Sequence, residues 1–200
     1  HSAVAATPQG EQDLLEEVVV TAQFREQSVQ DTPLSITAIS GDLLESRSQT
    51  SLAEVTNQAP NVTLKPQGAA FGPAMGASIR GVGQFDFNPA LEPGVGIYVD
   101  DVYYATLTGS ILDLLDLERV EILRGPQGVL FGRNASGGAI VLRSRRPTGG
   151  TNAHFDISLT NASGIDMNAS LEGSLIEDKL SARIAVMTRK NDGLITNTTK

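Results

Sequence analysis

The sequence predicts a glycine-rich α+β unit of short strands and short helices, followed by an antiparallel β-meander. Three observations carry this reading. Fifteen of the 20 glycines lie between Gly68 and Gly150, interleaved with short β-prone runs. So much glycine among strands means tight turns and close backbone approach rather than long regular sheets. Helix signals are confined to short segments. Beyond Gly150, apolar and polar residues alternate more sharply than anywhere else in the chain.

Residues 1–16 are small, polar and acidic, the composition of a flexible tail. Glu17-Val18-Val19-Val20-Thr21-Ala22-Gln23 follows, a β-branched run with strong strand preference and no visible pairing partner before Pro33. Such a run either joins the edge of its own sheet or is offered to another protein's sheet, where backbone hydrogen bonds supply the affinity. TPLSITAIS (32–40) reads as a strand with Leu34, Ile36 and Ala38 on one face. Gly41-Asp42 opens a short helix to about Arg47. Ser51-Leu52-Ala53-Glu54 has capping-box spacing, and its helix must stop by about Gln58 because Pro60 disfavours helical backbone before it. Further strands are expected at 61–65, 77–81, 94–105 (turning at Asp100-Asp101), 119–125 and 137–144, with a short helix over 110–118. The meander follows in HFDISLT (154–160), GIDMNASLEGSL (164–175) and KLSARIAVM (179–187), one side apolar and the other polar. A soluble sandwich edge and a lipid-facing barrel wall both give this alternation. A three-stranded sheet with a free edge is an aggregation hazard, so the chain is expected to be part of something larger.

Composition excludes several classes. With 40% hydrophobic and 19% charged residues the balance is globular, which rules out full-length disorder. No apolar run approaches the ~18 residues of a membrane-spanning helix. The absence of cysteine removes disulfide scaffolds, zinc ribbons and cysteine nucleophiles, and two histidines, His1 and His154, argue against a His-rich metal site. A net charge of −8 excludes a general nucleic-acid binder. The charges are segregated: seven acids and no base from Asp86 to Glu118, then six bases against Glu121 alone from Arg119 to Arg146. This suggests internal pairing or a missing partner surface. There is no secretory signal, so the chain is expected to be either cytoplasmic or the product of processing.

The run DLERVEILRGPQGVLFGRNASGGAI (116–140) resembles the plug of TonB-dependent outer-membrane receptors. EVVVTAQ (17–23) resembles the TonB box, SIRG (78–81) and GIYVDDVYY (96–104) the plug's central strands, and the meander from about Thr151 the first strands of the enclosing barrel. The resemblance covers nearly all of residues 17–190. It implies an N-terminal periplasmic tail bearing the box (1–29), an α+β plug domain with a small mixed sheet and short helices (30–149), and about three strands of a transmembrane β-barrel (150–200). A whole barrel needs several hundred residues at ~10 per strand, so most of the wall lies outside this sequence. The implied function is active import across the outer membrane of a Gram-negative bacterium, powered by TonB, of a scarce or bulky ligand. A ferric siderophore leads, with cobalamin, a sugar or an aromatic compound as the alternatives. Some relatives carry a signalling or carboxypeptidase-like domain before the box, and 16 residues precede it here, so neither is expected.

The resemblance also assigns residues. Glu17, Val18, Val19, Val20, Thr21, Ala22 and Gln23 would bind TonB. Arg80 and Arg124 each precede a glycine at a strand end and would, with Glu121, serve the lock that holds plug to barrel. A guanidinium inside a barrel needs carboxylate partners, and fork geometry fixes their orientation. The alternative is pairing within the plug, to Glu118 or Glu121. Phe85, Asp86, Phe87, Tyr103 and Tyr104 fall where the family's outward-facing plug apices lie, suited to stacking and hydrogen bonding with a bulky ligand or to packing on the wall. Gly125–Gly138 fits no phosphate-loop pattern, and Asp100, Asp101, Asp113 and Asp116 lack EF-hand spacing, so both read as turn and cap chemistry. No metal, cofactor or catalytic group is implied. The rivals are a stand-alone periplasmic ligand-binding module and a β-rich enzyme. The enzyme reading lacks a nucleophile elbow and an HExxH, and His154 sits in an alternating strand.

Overall fold

A computed structural model describes residues 19–20, 27–28, 33–67, 74–85, 91–105, 114–160 and 164–190. Among them, four sheets form. β1 (Val19–Val20) pairs antiparallel with β2 (Gln27–Ser28). β3 (Ile36–Ser40), β7 (Val95–Val99), β8 (Val102–Tyr104), β9 (Leu117–Arg124) and β10 (Gly138–Ser144) build a five-stranded sheet in the order β3-β9-β10-β7-β8. Its one parallel pair is β10 with β7, so the sheet is mixed. β4 (Val62–Gln67), β5 (Ala74–Ile79) and β6 (Val82–Gln84) make a second, antiparallel sheet.

Both faces of the five-stranded sheet are covered, which its continuous apolar strands require. One face sends Ile39, Val120, Ile122, Ile140, Leu142, Val95 and Ile97 into a core shared with the β4–β6 sheet and the helices. The opposite face presents Ile36, Tyr98, Leu123, Ala139 and Val141, with Val20 and Phe131 packed on it. Leu34, Ile36 and Ala38 share this face as expected, and Ile39 makes the strand apolar towards the other side as well.

Helix α1 (Gly41–Ser46) starts where the Ser40 hydroxyl accepts the Leu43 N–H. The Ser51 segment forms a 3-10 helix (Leu52–Gln58), and the Glu54 carboxylate accepts the Thr50 and Ser51 N–H groups. The Asp100-Asp101 turn has φ of 47° and 69°, the paired left-handed residues of a tight hairpin.

Three expectations need correction. The helix over 110–118 is not formed where the structure describes it: Leu117 and Glu118 open β9, and Asp116 bends at φ 51°. Helical apolar spacing yields here to pairing of Leu117 with Ser144 in the sheet. Residues 110–113 lie outside the described residues. The glycine loop after β9 holds a one-turn helix, α2 (Gly128–Phe131). Finally, the β-branched run near the N-terminus does have a local partner, the polar pair Gln27–Ser28.

After β10 the chain enters an antiparallel meander: β11 (Asn152–Thr160), β12 (Gly164–Ile176) and β13 (Leu180–Lys190). Phe155, Ile157, Leu159, Leu171, Leu175, Ile184 and Val186 are exposed on one face. The polar face, with Glu172 and Arg183, turns toward the five-stranded sheet. This is the alternation of a wall with one apolar and one lumen-facing side.

Candidate functional site

The strand at 17–23 is described at Val19 and Val20. Two backbone pairings, Val19 to Ser28 and Val20 to Gln27, hold these two residues extended. Val20 is fully buried, against the face formed by Ile36, Tyr98, Leu123, Ala139 and Val141. Burying a valine side chain is worth about 1.5–3 kcal/mol, so Val20 is seated rather than loose. Glu17, Val18, Thr21, Ala22 and Gln23 lie outside the described residues.

Arg80 and Arg124 come together at one end of the molecule. Arg80 occupies the β5–β6 turn at φ 54°, and Arg124 ends β9. A Cβ added to Gly125, which sits at φ 108°, would lie 3.3 Å from the Arg80 guanidinium. The glycine thus serves twice, by its left-handed backbone and by leaving room. Arg124 Nη1 donates to the Pro60 carbonyl at 3.4 Å, and its buried Nε has no acceptor. Among the described residues no carboxylate pairs with either arginine. Glu118 and Glu121 instead both accept from Arg119, Glu121 at 2.7 Å. Glu121 is fully buried on the Val20 side of the sheet, in register with Ala38 and Val141.

The aromatic residues divide. Phe85 and Tyr104 are exposed, while Tyr103 packs on Tyr98 with ring centroids 5.3 Å apart and accepts from Asn134 at 2.7 Å. Tyr98 stacks against Phe131 at 4.8 Å and donates its hydroxyl to the Phe131 carbonyl at 2.9 Å. Burial, with the neighbouring Tyr103 adding to it, pushes the Tyr98 phenol above its ordinary value and keeps it a donor. Asp86 and Phe87 lie outside the described residues.

Of the acidic residues read as turn and cap chemistry, Asp100 and Asp101 act as anchors, and Asp113 lies outside the described residues. Asp101 forks onto Arg143 at 2.7 and 2.8 Å, and Asp100 accepts the Ser144 N–H at 2.9 Å and its hydroxyl at 2.7 Å. These bonds tie the hairpin turn to the end of β10. The Arg143 guanidinium, donating to Asp101, holds that carboxyl below the usual carboxylate range.

Sequence reasoning missed one charged cluster. Arg183 of β13 forks onto Asp116, Nε and Nη2 each at 2.6 Å, and donates Nη1 to Glu172 at 2.7 Å. Glu172 also accepts from Thr148 at 2.7 Å and Asn152 at 2.6 Å. Behind Asp116, Arg145 donates to the Leu117 carbonyl, Asp42 and Glu45. The cluster joins the meander to the foot of β9. A cavity of about 290 Å³ opens beside it, between Glu45, Thr50 and Asp116 on one side and His154, Asp156 and Asn168 on the other. The charge segregation around residue 118 was the one available signal, since Asp116 lies near the end of the acidic block and Arg145 near the end of the basic one.

Residues 28–139, more than half of the chain, match the family model described as TonB-dependent Receptor Plug Domain. The chain is 26% identical over 197 residues to the pesticin receptor of Yersinia pestis, covering 98% of this chain and 28% of that protein. It is 33% identical over 127 residues to the hemin receptor of the same organism, covering 62% and 17%. Among solved structures, the ferric yersiniabactin uptake receptor FyuA from Yersinia pestis superposes with a TM-score of 0.68 at 26% identity, over 77% of this chain and 24% of that one. The chain thus spans little more than a quarter of the length of that pesticin receptor. Sequence and fold converge on one conclusion: this chain belongs to the TonB-dependent receptors, and it carries their plug domain with the wall strands that follow.

Proposed function

We propose that the chain is the gate and coupling arm of an outer-membrane importer that takes up an iron-bearing ligand, a ferric siderophore or related chelate. The plug lies inside the barrel, its N-terminus towards the periplasm. The observation that carries this reading is the wall: three strands with an exposed apolar face turned away from the plug and a polar face bonded to it. That arrangement suits a lipid-facing barrel around a solvated lumen. The ligand class is supported by relatives named as a hemin receptor and a ferric yersiniabactin uptake receptor.

In this reading the segment 17–23 is the strand that TonB adds to its own sheet. Its Val19 and Val20 are already extended and paired, so capture exchanges the Gln27–Ser28 partner for TonB's strand. Capture must also unseat Val20, which keeps the segment docked until ligand binding loosens it. The unpartnered Arg124 Nε and neighbouring Arg80 are set to receive carboxylates of the wall beyond the three strands present here, with Glu121 bracing the same strand from inside. The exposed Phe85 and Tyr104 are the described candidates for ligand contact, and Tyr103 is held in place by Tyr98. Transport needs no catalysis.

The test is Val19→Pro in the complete receptor. Proline removes a ladder donor, so ligand-dependent uptake by cells should fall to background while ligand binding to isolated outer membranes is unchanged. Normal uptake by the variant would refute the coupling role of this segment.

A further inference from the structure

The Arg183 cluster stands at one end of the five-stranded sheet, and the paired arginines Arg80 and Arg124 stand at the other. At the cluster end β3 finishes, β9 begins and β10 finishes, since Ser40 pairs with Arg119 and Ser144 with Leu117. At the opposite end Gly138 pairs with Arg124, and Gly125 lies beside Arg80.

We propose that Asp116, Arg183 and Glu172 form a permanent anchor, holding the foot of β9 and β10 to the wall while the rest of the plug is free to move about it. This inference rests on the reading of the meander as barrel wall. Three features make the cluster an anchor rather than a chance surface pair. First, the Asp116–Arg183 contact is a two-point fork between planar groups, which fixes orientation as well as distance. Second, it is shielded: the Arg183 and Asp116 side chains are 16% and 15% exposed, and that of Glu172 is 1% exposed. Removing one partner of such a pair strands the other charge, whereas an exposed pair would loosen with little effect. Third, it continues into the plug. The Arg145 N–H donates to the Asp116 carbonyl at 2.9 Å, and the Arg145 guanidinium reaches Asp42 at 2.7 Å and Glu45 at 2.9 Å. Load placed on Arg183 therefore passes to both β9 and α1. The cavity beside the cluster marks where plug and wall are not packed together.

The experiment is peptide-resolved hydrogen exchange on the complete receptor in detergent micelles, comparing the parent with Asp116→Asn and Arg183→Gln. It needs neither ligand nor TonB, so it reports on the anchor even if the import reading fails. Each variant should speed exchange across residues 114–124 and 145–150 by about tenfold or more, and leave residues 74–84 at the parental rate. Arg183→Lys, which keeps the charge and loses the fork, should fall between the parent and Arg183→Gln. Unchanged exchange at 114–124, or an equal rise at 74–84, would overturn the proposal. Should Arg183→Gln fail to insert, Asp116→Asn and Arg183→Lys decide the question by the same two criteria.

Discussion

Arg119 and Arg143 lie directly opposite one another on β9 and β10, a like-charge pair that costs energy unless each finds a carboxylate. Arg119 takes Glu118 and Glu121, and Arg143 takes Asp101. The second pairing makes the hairpin turn titratable. With Arg143 donating to it, the Asp101 carboxyl ionises at a lower pH in the folded protein than in the unfolded chain. Its stabilisation is therefore complete above the unfolded pKa of about 4 and is lost as pH falls through the lower folded value. Asp101→Asn, which tolerates the left-handed turn, should lower Tm by a constant amount between about pH 5 and 8. That difference from the parent should shrink below about pH 4, as thermal melts across the range can check. Gly41 makes a steric case. A Cβ there would fall on the Leu117 carbonyl oxygen, which already accepts from Arg145. Gly41→Ala should cost about 1–3 kcal/mol, read as a lowered Tm, by pushing α1 off the foot of β9.

The wall strands were the most legible elements, because a half-buried strand writes its two faces into alternate residues. Ile165, Met167 and Leu171 against Asp166, Asn168 and Glu172 left no other period to choose. The same faces carry a prediction. Leu171 is 59% exposed on the apolar side, so Leu171→Arg should destabilise the inserted receptor by about 2–4 kcal/mol if it sits at mid-membrane and less toward an interface. Reversible folding into lipid vesicles measures this. Plug elements were legible where local chemistry fixes them, as at Gly41-Asp42, Ser51-Glu54 and Asp100-Asp101. They were misread where tertiary pairing prevails: LDLLDLE has helical spacing, yet Leu117 and Glu118 belong to β9. Gln27–Ser28 gave no signal as a partner, because two polar residues carry no periodicity.

At the scale of the molecule, the family was readable from one glycine-rich run and the order of its flanking pieces, whereas the sheet order β3-β9-β10-β7-β8 was not. Nothing local in a sequence states that β7 and β10 run parallel, or that β9 lies between β3 and β10. The site divides in the same way. The positions of Arg80, Arg124 and the 17–23 segment followed from resemblance, but Asp116 and Arg183 are far apart in the chain and meet only in three dimensions. That topology also sets how fast the two parts form. The wall strands join neighbours through short connections, so their contacts close over little chain, as rapid folding requires. The central sheet must first bring Ile36 to Leu123 and Val95 to Gly138 across long intervening segments, and each such loop costs entropy before any contact repays it. Between these two sheets, the central one carries the longer-range pairings, and its register is the slower of the two to settle.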